Sequence, residues 1–231
     1  MLKDQSVINA VLSCNLFEQI NEEATNVLKE EGKLITVKRK KDLLDEIGSK
    51  DGLVYFYDGV CKWRALDVNG NDRIIKYFGA NDVMIIDKVL ALFNSDQYFE
   101  AVKEVQVVFI PSSTMESMML ASPELRMKYL VTVAKKADEF DSRASRLMQN
   151  TVRERLGIAI DELTGKFGLD TSNKLKLPFT KKELCHLLSA SKSSVNRLLQ
   201  ELNENNAVYF NKNNLYVNNL SYLRSMAEGR A

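Results

Sequence analysis

The chain has 231 residues, of which 45% are hydrophobic and 27% are charged, an ordinary globular composition that suits one large domain or two modest ones. No apolar stretch approaches the ~20 residues that span a bilayer, and the first residues show no secretion signal, so we expect no membrane partner and a cytoplasmic location. Three widely separated cysteines and one histidine argue against a disulfide framework and against a metal site built from Cys and His.

Charge is distributed unevenly along the chain, although the net charge is only +1. Residues 1–122 hold 14 Lys/Arg and 19 Asp/Glu, a net −5, whereas residues 171–231 hold 9 and 4, a net +5. A basic C-terminal segment on an acidic body indicates a localised phosphate-binding face. The alternative is a chance fluctuation over a segment of this length.

The first part of the chain reads as one helical segment followed by many short strands. Apolar residues recur at a helical period over residues 6–31. Six β-rich runs follow, at residues 34–37, 53–57, 60–66, 74–78, 83–86 and 105–110. Turn residues separate them, and Asp58-Gly59 and Asn69-Gly70 predict hairpin turns because Asn and Gly tolerate positive φ. The pattern favours a small antiparallel barrel or sandwich.

A long helix is predicted after a short helix at residues 113–121. Pro123 begins it favourably, because the N–H that proline lacks would be unpaired at a helix start. An apolar seam repeats at spacings of three and four residues, and its members are Leu130, Val133, Ala137, Phe140, Ala144 and Leu147. Such a heptad seam predicts a parallel coiled-coil dimer. The alternative is a single amphipathic helix packed on its own domain.

Two short capped helices are predicted near the C-terminus, after a helix at residues 152–167 that Gly168 ends. Thr180 and Glu183 form a capping box at the start of the first. Residues 189–191 interrupt the run, and Ser191 is a good N-cap for a second helix over residues 192–203.

This arrangement predicts a helix-turn-helix, whose second helix enters the major groove with its first turns facing the base edges. Arg and Lys read guanine, Asn and Gln pair with adenine, and hydroxyls and helix starts contact phosphates. Two β-prone runs around residues 211–214 predict a wing hairpin with a lysine at its tip. The DNA-binding candidates are Thr180, Lys181, Ser191, Lys192, Ser193, Ser194, Asn196, Arg197, Gln200 and Lys212. The alternative is that this segment is a helical hairpin followed by a β-hairpin, with no role in DNA binding.

Residues 179–184 and 191–199 resemble the DNA-binding motif of the Crp/Fnr superfamily, which reads T-x-x-E-[IL] and then S-x-x-[TS]-V-x-R-x-[IL]. The resemblance implies a regulator with a β-roll, a dimerisation helix and a winged helix, and implies RNA polymerase as a partner. Lys192, Ser193 and Arg197 match its base-contacting positions. Ser193 stands where many members have Glu, and Ser189 where the family often has Gly.

The β-roll departs from the cyclic-nucleotide-binding relatives. Residues 79–83 begin similarly, but residues 84–90 lack the Gly-Glu pair that holds the ribose, and residues 93–102 contain no Arg for the phosphate. A cyclic phosphate would lose a charge-assisted hydrogen bond worth roughly 1.5–3 kcal/mol. We therefore predict that cyclic AMP does not bind as it does in those relatives. No cofactor is predicted, and the effector is unknown.

The sequence thus predicts an α+β fold: an N-terminal antiparallel β-roll, of the double-stranded β-helix or jelly-roll kind, flanked by helices, then a long dimerisation helix and a C-terminal winged helix-turn-helix. The expected divisions are residues 1–122, 123–150 and 151–231. The favoured function is a homodimeric regulator that binds a two-fold symmetric operator. A sensor or scaffold that has lost DNA binding is the alternative. An enzyme is disfavoured, because G-x-S-x-G, H-E-x-x-H and phosphate-binding glycine loops are missing from the sequence.

Overall fold

A computed structural model describes residues 2, 4–48, 50–66, 70, 72–86 and 97–229. The helices of this part are α1 (Gln5–Ser13), α2 (Glu22–Glu31), α3 (Leu43–Glu46), α4 (Ser112–Ala121), α5 (Pro123–Gln149), α6 (Val152–Phe167), α7 (Lys181–Leu188), α8 (Lys192–Glu204) and α9 (Leu220–Ala227). The strands are β1 (Lys33–Val37), β2 (Gly52–Asp58), β3 (Cys61–Leu66), β4 (Asp72–Phe78), β5 (Val83–Ile86), β6 (Gln97–Ala101), β7 (Val105–Pro111), β8 (Val208–Asn211) and β9 (Asn214–Val217). The α+β class and the expected order of elements are confirmed.

The chain separates into two compact units. The first comprises residues 1–66 and 76–138, and the second comprises residues 67–75 and 139–231. The division falls inside α5, so the expected three-part division of the chain stays a prediction. Among the described helices, none combines the length and the apolarity that crossing a membrane requires.

The N-terminal helical segment is two helices rather than one. Asp4 caps α1 by accepting a hydrogen bond from the backbone N–H of Ser6 at 2.8 Å. After Ser13 the chain turns, and Gln19 takes a left-handed conformation with φ 65°. Asn21 then caps α2 by accepting from the N–H of Ala24 at 2.9 Å. The apolar periodicity continued across this break, which is why the sequence predicted a single helix.

Two antiparallel sheets form the β-roll. One has the strand order β1-β7-β2-β5, and the other has the order β4-β3-β6. The expectation of a hairpin at Asp58-Gly59 is wrong, because β2 and β3 on either side of it belong to different sheets. Gly59 has the positive φ that the sequence led us to expect, 88°, but the turn carries the chain from one sheet to the other. The other predicted hairpin turn is Asn69-Gly70, and its Asn69 lies outside the described residues.

Aromatic side chains fill the space between the two sheets. Phe56 from β2 stacks on Phe78 from β4 with ring centroids 4.9 Å apart. Phe78 lies 6.2 Å from Phe99 of β6, which stacks in turn on Trp63 of β3 at 5.5 Å. Offset ring pairs at these distances add to the free energy of burial. The roll therefore has a packed interior at this level.

The second unit is built around α6. Thr151 caps this helix through a capping box with Glu154, directly after α5 has ended at Gln149. Gly157 lies where α9 passes closely, since a Cβ atom built there would come 2.6 Å from the backbone oxygen of Leu223. The predicted bounds of α6 are confirmed, and so is Gly168, at φ 73°, as its end. Helix α9 was not predicted.

Candidate nucleic-acid interface

Helix α7 begins at the capping box that the sequence predicted. The Thr180 hydroxyl accepts a hydrogen bond from the N–H of Glu183 at 3.1 Å. A Glu183 carboxylate oxygen accepts from the Thr180 N–H and hydroxyl, both at 2.9 Å. Leu184, Cys185 and Leu188 are buried on the inner face, and burial raises the pKa of the Cys185 thiol, which keeps it neutral. The capping box therefore fixes where α7 starts.

The turn between α7 and α8 is as short as expected. Ser189 adopts the left-handed conformation at φ 48° and ψ 47°. The N–H of Ala190 donates to the carbonyl of Cys185 at 3.1 Å. Ser191 then caps α8, accepting from the N–H of Ser194 at 3.1 Å. The chain thus reverses within residues 189–191 and presents a new helix N-terminus.

Helix α8 divides cleanly into two faces. Its buried side chains are Val195, Leu198, Leu199 and Leu202. Lys192, Asn196 and Arg197 are exposed on the opposite face. Within the described part of the chain, the side chains of Lys192 and Arg197 make no hydrogen bond or ion pair. Both cations therefore face outward from the first two turns of the helix.

The other candidates on α8 have partners within the protein. The Ser191 hydroxyl oxygen lies 2.9 Å from the hydroxyl oxygens of both Ser193 and Ser194. The Gln200 amide donates to a Glu204 carboxylate oxygen at 3.0 Å. These contacts are exposed, so the polar groups remain at the surface. Ser191 has its clearest role as the cap that starts the helix.

The wing is a two-stranded hairpin. Strands β8 and β9 pair antiparallel, and Tyr209 stacks on Tyr216 with centroids 4.6 Å apart. Lys212 is exposed at the tip, where it has a left-handed φ of 55°. Lys181 of α7 lies over the ring of Phe210, 5.9 Å from its centroid. A groove between the wing and α8 is lined by Lys181, Asn196, Leu199, Gln200, Asn203, Tyr209 and Phe210.

A salt bridge that the sequence analysis missed joins α6 to α8. Arg153 contacts a carboxylate oxygen of Glu201 and donates to the hydroxyl of Tyr222 on α9 at 3.3 Å. The hydrogen bond to Glu201 raises the pKa of the Arg153 guanidinium. No local pattern reveals this pair, because its residues lie 48 positions apart.

Most of α5 is open to solvent in the single chain. Leu125 is its buried residue. The seam residues Leu130, Phe140 and Leu147 are exposed by 57%, 44% and 37%. Ala137 and Ala144 are exposed as well, and Val133 is half-buried. The single chain therefore leaves an apolar helix face largely uncovered.

A model of the Crp-like helix-turn-helix domain family matches residues 146–226, which contain α6, α7, α8 and both wing strands. A curated protein of Lacticaseibacillus casei, named "Probable transcriptional regulator flp", is 23% identical over 192 residues, covering 82% of this chain and 84% of its own. The chain therefore contains a Crp-like helix-turn-helix domain, and it is similar to transcriptional regulators of the Crp/Fnr type.

Solved structures share the fold of this chain. One, from Eubacterium rectale and described as belonging to the Crp/Fnr family, has a TM-score of 0.71 at 15% identity, covering 92% of this chain and 97% of that chain. A CooA mutant from Carboxydothermus hydrogenoformans has a TM-score of 0.69 at 16% identity and covers 98% of both chains. FixK2 from Bradyrhizobium japonicum has a TM-score of 0.69 at 14% identity, covering 84% of this chain and 96% of that chain.

The part of the β-roll used for the cyclic AMP prediction is described only in part. Of the residues on which that prediction rests, 79–86 and 97–102 are described, whereas 87–90 and 93–96 lie outside the described residues. Asp82 accepts a hydrogen bond from the Gly79 N–H at 2.7 Å, and Asn81 accepts from the Tyr55 hydroxyl at 2.7 Å. In this protein, the turn before β5 therefore makes contacts within the first unit.

Proposed function

We propose that this protein is a transcriptional regulator of the Crp/Fnr type that binds a two-fold symmetric operator as a homodimer, with the N-terminal turns of α8 in the major groove. The observation that carries the proposal is the pair of exposed cations, Lys192 and Arg197, on a helix whose opposite face is fully packed. Guanidinium and ammonium groups in that position read guanine O6 and N7. Asn196 is exposed between them and offers an amide that suits adenine.

The remaining DNA-binding candidates lie around Lys192, Asn196 and Arg197, and their polar groups suit contacts with phosphates. Lys181 and Lys212 are exposed at the start of α7 and at the wing tip. Ser193, Ser194 and the N-terminus of α8 offer hydroxyls and backbone N–H groups. Contacts of this kind set the register of a protein on the duplex without reading its sequence. We assign Thr180 and Ser191 the task of holding the helix starts in place.

Dimerisation is proposed through the exposed seam of α5. A coiled-coil dimer would cover Leu130 and Phe140, which are exposed in the single chain. It would also present two copies of α8 to DNA. In helix-turn-helix dimers the half-sites are one helical turn of DNA apart, ~34–36 Å, or a multiple of it. We further propose RNA polymerase as a second partner and the bacterial cytoplasm as the location, and the likeness to Crp/Fnr regulators supports both.

The direct test is selection of bound fragments from the source genome, followed by fluorescence anisotropy on the selected site. We expect a symmetric site, and we expect Arg197→Ala and Lys192→Ala each to weaken binding by about 1–3 kcal/mol per recognition helix. Lys103→Ala is a matched control, since it removes an exposed cation from the first unit. Selection of no fragment at moderate salt would instead favour a sensor or scaffold that has lost DNA recognition.

Control by cyclic AMP is not part of the proposal. Residues 84–90 and 93–102 lack the Gly-Glu pair and the Arg of the cyclic-nucleotide-binding relatives. We expect millimolar cyclic AMP to leave both the thermal melting temperature and the anisotropy titration unchanged. A saturable heat of binding in calorimetry, together with tighter DNA binding, would contradict this. We also propose no enzymatic activity for the chain.

A further inference from the structure

Arg197 has a carboxylate close by on its own helix. Glu201 lies four residues further along α8, and residues at this spacing are neighbours on a helix surface. Both residues line one groove, together with Arg153, Leu198, Gln200 and Glu204. An Arg–Glu pair at this spacing would occupy the guanidinium that the proposed DNA contact requires. Helix α8 therefore carries a carboxylate, on Glu201, that competes with DNA for Arg197.

In the structure, the Glu201 carboxylate is paired with a residue other than Arg197. Glu201 contacts Arg153 of α6, and the two side chains are 38% and 28% exposed. The second carboxylate of the groove, on Glu204, accepts a hydrogen bond from Gln200 at 3.0 Å. Arg197 makes neither contact and is exposed. Both acidic groups are thus engaged, while the cation beside them is left for another partner.

Arg153 is well placed to keep this arrangement. It lies in the first turn of α6, directly after the capping box of Thr151 and Glu154. A second hydrogen bond, to the Tyr222 hydroxyl at 3.3 Å, directs its guanidinium from the α9 side. The side chain is therefore fixed by two helices other than α8, so it can draw Glu201 toward the body of the domain.

We infer that Arg153 is a positioning residue for DNA binding: it engages Glu201 and so leaves Arg197 free to contact the DNA. The inference rests on the proposed function, since it concerns the availability of a DNA-contacting residue. It assigns Arg153 no contact with DNA. A purely structural salt bridge between α6 and α8 would behave differently. In that case, removing the charge of Glu201 would not restore the DNA affinity that is lost with Arg153.

The test measures operator affinity by fluorescence anisotropy for the full-length protein carrying Arg153→Met, Glu201→Gln or both. An ion pair at this helical spacing is worth about a factor of two, so Arg153→Met should weaken binding about twofold per recognition helix and about fourfold for a dimer. Adding Glu201→Gln should restore the affinity, because the amide does not compete for Arg197. Arg153→Lys, which keeps the positive charge, should retain most of the affinity.

Arg197 provides the decisive comparison. In an Arg197→Ala background, Arg153→Met should have no further effect on affinity. If it weakens binding there as well, Glu201 acts on the DNA directly and the inference is wrong. Failure of Glu201→Gln to restore the Arg153→Met protein would likewise overturn it, and would point to a structural role. Urea unfolding of each variant shows whether folding has been affected.

A second salt bridge on α6 supplies the matched control. Arg224 of α9 donates to Asp161 of α6 at 2.9 Å, and this pair includes no residue of α8. Arg224→Met should leave operator affinity unchanged. If the unmodified protein binds no selected fragment, the proposed function itself fails. If it binds and Arg197→Ala weakens it, while Arg153→Met does not, only the inference about Arg153 fails.

Discussion

Ser189 is the residue at which the first helix of the motif ends. It ends α7 in the left-handed conformation, at φ 48° and ψ 47°. L-residues other than Gly pay roughly 1–2 kcal/mol for this conformation, because Cβ approaches the following carbonyl oxygen. The chain accepts this cost because the turn must reverse within residues 189–191. The Crp/Fnr resemblance places Gly at this position in many members, and the backbone explains that preference.

We therefore expect Ser189→Gly to stabilise the protein. Relief of the left-handed strain exceeds the extra chain entropy that Gly loses on folding, roughly 0.5–1 kcal/mol, so the net gain should be about 0.5–1 kcal/mol. Urea unfolding followed by circular dichroism measures it. Ser142→Gly, in the exposed middle of α5, is the control and should lower stability. A loss of stability in Ser189→Gly would show that the turn is not strained.

At the scale of elements, α5 is the helix whose apolar face needs an explanation. It runs for 27 residues, and an isolated exposed helix with large apolar side chains is unusual in a folded chain. Packing on its own domain, the alternative left open by the pattern, would bury the seam residues. In the structure Leu130 is 57% exposed and Phe140 is 44% exposed. This exposure favours a partner helix over packing within the chain.

Leu130→Asp should then separate the dimer into monomers. A charge placed in an apolar seam must be desolvated without a partner, so we expect the dissociation constant to rise at least about tenfold. Light scattering coupled to size-exclusion chromatography gives the mass at several concentrations. Lys135→Ala changes an exposed residue outside the seam and should leave the mass unchanged. A dimer that persists in Leu130→Asp would place the interface elsewhere.

At the scale of the whole molecule, the charges of the chain are divided between its parts. Residues 171–231 carry a net +5 and residues 1–122 a net −5. An acidic body repels DNA while a basic segment attracts it, so this charge distribution would orient the protein on DNA in the binding mode that we propose. The total of +1 conceals this division. Binding strength should therefore depend strongly on salt, in the manner of phosphate contacts.

Lys212 at the wing tip provides the test of this electrostatic component. If each wing neutralises one phosphate, Lys212→Ala should reduce the slope of log K against log salt by about 2 for a dimer. Discrimination between operator and unrelated DNA should change little, because phosphate contacts do not read bases. Lys103→Ala, in the acidic part, should leave the slope unchanged. An unaltered slope in Lys212→Ala would remove the wing from the interface.

Several elements were predictable because their determinants are close together in sequence. The bounds of α6, the capping box of α7 and the N-cap of α8 matched the structure. Each depends on a hydrogen bond or an apolar period within a few residues. The capping box of Thr151 and Glu154 had the same local pattern, so the break between α5 and α6 was also available from the sequence. These features, and the exposed face of α8, were decided by the sequence itself.

Other features required the folded chain, because their partners are distant in sequence. The turn at Asp58-Gly59 has hairpin chemistry, yet the pairing of β2 with β5 and β7 makes it a link between sheets. Gly157 matters because of α9, and Arg153 because of Glu201, which lies 48 residues away. A short stretch of sequence shows which secondary structure that stretch favours, but it does not show which distant residues will pack against it. The sequence thus determined the caps and the exposed face of α8, and only the tertiary structure decided which side chains on that helix are paired within the chain and which remain exposed.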